Sequence, residues 1–175
     1  MRLKPGFVLL AAAIPGLASA ATPPCLTSGE FTALTTYALP SVISGAAQRC
    51  ATQLPADAYL KRSGADLAAR YSQRKGVSWP AAKAAFLKLS AGTNAEANNV
   101  IRTLPDASMQ PMLDALMTGM VSQRLPLERC VAVDRVIGLL APLPPESTAE
   151  LIALAVGLGS RAGGGKVGAI SLCPA

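Results

Sequence analysis

Four cysteines, Cys25, Cys50, Cys130 and Cys173, in a chain without histidine leave few ways of holding this protein together. A four-thiolate zinc site draws on closely spaced cysteine pairs, and these four are all far apart. No C-x-x-C redox pair occurs either. An even number of isolated cysteines is the pattern of a disulfide framework, which persists where the surroundings are oxidising. Two disulfides and an exported protein are therefore expected.

The amino-terminal segment offers the route. Arg2 and Lys4 form a positive start, Phe7–Leu17 (FVLLAAAIPGL) is apolar, and Ala18-Ser19-Ala20 is the small-x-small pattern that a signal peptidase accepts. We read residues 1–20 as a cleaved signal peptide and residues 21–175 as a single helical domain. The apolar run falls short of the roughly 20 residues of a spanning helix and is broken by Pro15 and Gly16. Thr22-Pro23-Pro24 ahead of Cys25 does not suit a lipoprotein anchor. No later run is long enough to cross a bilayer, so no transmembrane segment is expected in the mature chain, which would work in the periplasm or outside the cell. The formal net charge is +6, and Arg2 and Lys4 contribute two of those charges. The remaining excess is mild, and charged residues, at 15% of the chain, leave room for apolar patches on the surface.

Helical periodicity bears on which cysteines pair. Phe31, Leu34, Ala38, Val42 and Ala46 keep one period through Pro40, and a proline kinks a helix without reversing it. A continuous helix over 28–50 would hold its ends roughly 30 Å apart at about 1.5 Å per residue. A disulfide needs Cα atoms about 4.4–6.8 Å apart, so Cys25 could not then reach Cys50. Cys50 and Cys130 each follow an arginine in a helix-like stretch, and Cys25 and Cys173 lie beside prolines near the two mature ends. The favoured pairing is Cys50–Cys130 with Cys25–Cys173. A sharp turn at Tyr37–Ser41 would restore the sequential pairing instead.

Helix starts recur along the chain. Thr27/Glu30, Thr93/Glu96 and Ser147/Glu150 match the capping box, with Ser63/Asp66 a variant. Ser78 before Trp79-Pro80 marks another start, and Asp106 one more. Leu-Pro at 39–40, 54–55, 104–105, 125–126 and 143–144 supplies stops. The expected helices cover 28–50, 57–62, 64–75, 79–90, 94–103, 107–124, 127–141 and 146–160. No alternating pattern is long enough for a convincing strand. The fold class is all-α, a compact domain of about seven to eight short helices. Leu151–Leu158 (LIALAVGL), apolar on every side, reads as the central buried helix. Residues 163–175 read as a Gly-rich tail that a bridge through Cys173 would pin.

Two constellations carry candidate chemistry. Met109, Met112, Met117 and Met120 form two M-x-x-M pairs on one face of the 107–124 helix. Thioethers select Cu(I), so a copper site is an alternative, but Leu113, Leu116 and Val121 share the face and Gln110, Asp114 and Thr118 oppose it. That is the pattern of an amphipathic core helix, or of a groove for varied apolar partners. Lys61, Arg62, Arg70, Arg74, Lys75, Lys83 and Lys88 form a basic stretch suited to an anionic envelope component or an acidic protein, or to plain solvation. Nucleic acid is not expected as a partner, given export and few aromatics for stacking bases.

Enzyme signatures fail individually. Ser72-Gln73-Arg74-Lys75 fits S-x-x-K without S-D-N or K-T-G partners. Gly157-Leu158-Gly159 ends a helix where a dinucleotide fingerprint follows a strand. Triads that rely on histidine cannot be built. Scattered carboxylates leave a cell-wall hydrolase as a further alternative. The expectation is an exported, non-enzymatic, envelope-associated binding or accessory domain that needs no cofactor.

Overall fold

The chain enters its first helix through a closed polar loop at Thr27. The Thr27 hydroxyl accepts from the Glu30 amide at 3.2 Å, and the Thr27 amide donates to the Glu30 carboxylate at 2.8 Å. From there α1 (Ser28–Cys50) runs through Pro40 without reversing, which removes the sequential cysteine pairing. The computed structural model describes residues 25–92, 95–162, 166–167 and 170–173. The leader and Thr93 of the second capping box lie outside the described residues.

The other helices are α2 (Tyr59–Ser72), α3 (Lys75–Ala91), α4 (Ala95–Thr103), α5 (Asp106–Arg124), α6 (Cys130–Leu140) and α7 (Pro145–Ala162), with a 3-10 turn at Leu127–Arg129 before α6. Cys50 pairs with Cys130 and Cys25 with Cys173, at Cα separations of 5.4 and 4.9 Å. Among the described residues no helix is long and apolar enough to cross a membrane.

Three expected starts are displaced, for local reasons. No break occurs at Ser63, because Gly64 lets α2 continue closely past Ala47 of α1 while Leu60, Leu67, Ala68 and Tyr71 keep one buried face. α3 starts at Lys75 instead of Ser78, whose hydroxyl points backwards to the Arg74 and Lys75 carbonyls at 3.3 and 3.2 Å. α7 starts at Pro145 instead of Ser147, with proline in the first turn where its missing N–H is harmless.

Strands were not expected, yet the two ends form a small sheet. β1 (Cys25–Leu26) runs parallel to β3 (Ile170–Leu172), and β2 (Lys166–Val167) pairs antiparallel on its other side. Segments of two or three residues are too short to show alternation. The Cys173 amide donates to the Leu26 carbonyl at 2.9 Å, so the bridge and the ladder pin the tail together.

The central helix is α1, which packs against α2, α3, α5 and α7. This corrects the expectation for Leu151–Leu158: Leu151, Leu154 and Leu158 are exposed, while Ala149 and Ala153 face inward. Small residues bring α7 close to α1 and leave its leucines outside. α5 is also rotated from its expected setting. Gln110, Asp114 and Thr118 face α1, where Tyr37 donates to the Gln110 carbonyl at 3.4 Å, Ser41 to Asp114 at 3.2 Å and Thr118 to the Ser41 carbonyl at 3.3 Å. Gly45 allows this crossing, since a Cβ there would lie 2.6 Å from the Thr118 carbonyl oxygen.

Two apolar clusters flank α1. One joins Ile43, Leu60, Tyr71 and the buried Cys50–Cys130 bridge, and the other joins Phe31, Tyr37, Trp79, Met109 and Leu113. The Tyr37 and Trp79 rings stack tilted at 5.0 Å in the second.

Candidate functional site

The position of α6 leaves an open cleft beside it. Its sequence, CVAVDRVIGLL, is apolar on most sides, so α6 would bury best by closing on all its neighbours. Three ties hold it toward α2 and the end of α1. The Cys50–Cys130 bridge fixes its first residue. Asp134 accepts from the Tyr59 and Leu60 amides at 3.3 and 2.7 Å, capping α2 in place of Ala58, which has no capping side chain. Beyond its end, Arg70 donates to the Ala141 carbonyl and Tyr71 to the Leu143 carbonyl at 2.9 Å. Between these ties Gly138 rests on the Tyr59 ring, 3.4 Å from where its Cβ would be. Asp134→Ala should therefore destabilise by about 1–2 kcal/mol in urea unfolding, with Asp134→Asn recovering part of the loss. Equal stability of all three proteins would refute the capping role.

Between α6 and the α1, α5 and α7 walls lies a cleft of about 730 Å³. Leu39, Val42, Ile43 and Ala46 of α1 line it, with Met120 and Val121 of α5, Val133, Val136, Ile137 and Leu140 of α6, and Ile152 of α7. Leu67 and Tyr71 close the floor. Its hydroxyls are already engaged: Tyr71 donates to the Leu143 carbonyl, and the single Thr148 proton is shared between the Tyr71 hydroxyl at 3.0 Å and the Pro144 carbonyl at 3.2 Å. Among the described residues, charge lines the cleft only where α5 leads into α6. There Arg124 and Arg129 line the cleft, exposed and without an ion pair among the described residues. Arg49 braces the same connection by donating to the Leu125 carbonyl at 2.9 Å.

The basic stretch lies elsewhere, and most of it is tied within the molecule. Arg74 pairs with Glu146 at 2.6 Å, Lys75 with Asp114, Lys83 with Asp106 at 2.6 Å and Lys88 with Glu30 at 2.8 Å. Lys61 donates to the Leu54 carbonyl at 2.9 Å, and Arg70 holds Ala141. Arg62 is the one member exposed with no such tie among the described residues. Three of the ion pairs join α3 to α1 or α5, Arg74 ties the start of α3 to α7, and Lys61 and Arg70 hold carbonyls of the connections, so these charges brace the fold. A second, more polar pocket of about 620 Å³ between α1, α3 and α7 contains the Arg74–Glu146 pair.

Three carboxyls in these braces are held below their ordinary values. Lys88 does this for Glu30, Lys83 for Asp106 and Arg74 for Glu146, in each case mainly by a hydrogen bond. A carboxyl lowered in the folded state stabilises it above the unfolded value and stops doing so once it is protonated. With no histidine and every cysteine bridged, the melting temperature should be level from about pH 5.5 to 8 and should fall below about pH 4.5. Exposure keeps the effect small, and salt should weaken it. A thermal-melt series across pH checks this, and a transition near pH 6.5 would contradict it.

The methionines divide. Met109 is fully buried, Met117 packs at the edge of the same cluster, and Met112 and Met120 are exposed. Met120 lines the cleft. The S-x-x-K residues are occupied separately, Ser72 donating to the Ala68 carbonyl at 2.8 Å and Lys75 pairing with Asp114. Among the described residues, no three His, Cys, Asp or Glu side chains converge as a metal site would require.

Sequence reasoning missed Arg124, Arg129, Val136 and Ile137. The available signal was an almost wholly apolar short helix directly after two arginines, but a cleft is missing packing and leaves no periodic mark. Fold and site together define a class: an all-α domain with two disulfides and an open apolar cleft. Comparison with protein-family models, characterised proteins and solved structures finds no match to this chain.

Proposed function

We propose that this protein is an exported binding domain that performs no chemistry of its own and takes its ligand in the cleft between α6 and the α1, α5 and α7 walls. One observation carries the reading: about 730 Å³ of apolar-walled space stands open beside a helix that polar and covalent ties anchor to α2 and to the end of α1. Unfilled apolar surface favours collapse, and the ties resist it. The volume falls within the range of about 300–1,000 Å³ that encloses a small ligand. The two disulfides and the leader expected at residues 1–20 support export. The split methionine face favours no copper reading.

A neutral environment-sensitive naphthalene dye tests this without presuming the natural ligand. Wild type should bind it with a rise in emission. Val136→Trp, which fills the cleft, should weaken binding at least tenfold. Leu139→Trp, on the same helix but outside the cleft, should bind like wild type. Equal binding by all three proteins would reject the cleft as the site.

A further inference from the structure

We infer that the cleft takes a single-chain anionic amphiphile, an alkyl carboxylate, with hydrocarbon lying against Val136 and Ile137 and the head group between Arg124 and Arg129. The inference rests on the binding reading above and names the ligand class for that site. Its first support is charge. Six members of the basic stretch are tied inside the molecule, whereas both arginines of the cleft are exposed and free of ion pairs among the described residues. Both flank the Leu125–Pro126 step between α5 and α6, and Glu128 of the same turn does not line the cleft. Guanidinium groups match carboxylates in planar, two-pronged hydrogen bonds.

The second support is what the interior refuses. Its two hydroxyls already have partners, so an extended peptide or a sugar would bury polar groups unmet. The accessible apolar surface is offered by Met120 and Val136, 39% and 53% exposed, while Tyr71 and Ile43 beneath are nearly covered. The volume suits one small ligand better than a diacyl lipid.

Calorimetric titration of the mature, oxidised protein with octanoate, decanoate and dodecanoate below their micellar concentrations, and with 1-decanol, tests the inference. Affinity should rise about two- to fourfold per methylene. Decanoate should bind roughly tenfold more tightly than decanol. Val136→Trp should abolish binding of both. The paired change Arg124→Gln with Arg129→Gln should bring decanoate down to the level of decanol and leave decanol unchanged. Equal affinity for decanol and decanoate in wild type would overturn the anionic head group while the cleft still binds. Neutral dye binding without any alkanoate binding would overturn the ligand class alone. So would an acidic amphipathic helical peptide that displaces the dye where alkanoates do not. Failure of dye and alkanoates alike would remove the binding reading with it.

Discussion

Replacing Cys50 and Cys130 together with alanine should lower stability by about 4 kcal/mol and weaken cleft binding as well. The bridge closes a loop with a sequence separation of 80, and a crosslink of that length removes roughly 4 kcal/mol of unfolded-chain entropy in the loop-closure description. Both sulfurs are fully buried in the cluster beneath the cleft, so their loss also leaves a small void. The functional effect follows from position. Without the bridge, the first turn of α6 is no longer fixed to the end of α1 and can shift across the cleft. Opening the Cys25–Cys173 bridge should lower stability comparably, because the inner crosslink already shortens its loop, yet it should leave cleft binding intact, since that bridge joins β1 and β3 on the side of the second cluster. Urea unfolding and dye titration of the two double variants separate the effects. An unchanged midpoint, or equal loss of binding in both, would contradict this assignment.

Gly45→Ala should cost about 2–3 kcal/mol even though alanine is the better helix former by up to about 1 kcal/mol. The added Cβ would meet the Thr118 carbonyl oxygen at 2.6 Å and the Val121 Cβ at 2.9 Å, so α1 and α5 must separate. Separation would strain the Ser41–Asp114 and Thr118–Ser41 hydrogen bonds in the same crossing, with Lys75 attached to Asp114. Gly45→Val should prevent stable folding. Gly119→Ala supplies the control, since a Cβ at that mid-helix position meets nothing within 4 Å, and it should stabilise by about 0.5–1 kcal/mol. Thermal melts of the three variants decide the matter. A Gly45→Ala protein as stable as wild type would mean the helices do not cross this closely.

The cysteine pairing was legible because it rests on local facts: the Thr27/Glu30 capping box and a helical period that survives Pro40. Helix existence was legible too, while starts at Ser63, Ser78 and Ser147 were misplaced because serine hydroxyls can bond backwards or lie idle within a helix. The rotation of α5 was hidden, since the glycine that draws its polar side inward belongs to another helix. The fate of the basic stretch was hidden for a similar reason. Its acidic partners lie 23 to 72 residues away in sequence, beyond any local pattern. Apolar content does not amount to burial at Leu151–Leu158, where Ala149 and Ala153 face inward and Leu151, Leu154 and Leu158 stay exposed. The cleft lies beside a helix held by three long-range ties, and none of them has a periodic signature.

Isoleucine methyl spectra tie the binding account directly to the structure. Ile43, Ile137 and Ile152 line the cleft, and Ile101 packs against the other cluster. On titration with the neutral dye, the methyl signals of Ile43, Ile137 and Ile152 should shift together with one dissociation constant while that of Ile101 stays in place. A spectrum in which Ile101 moves and those three remain fixed, or in which none moves under dye saturation, would contradict the account.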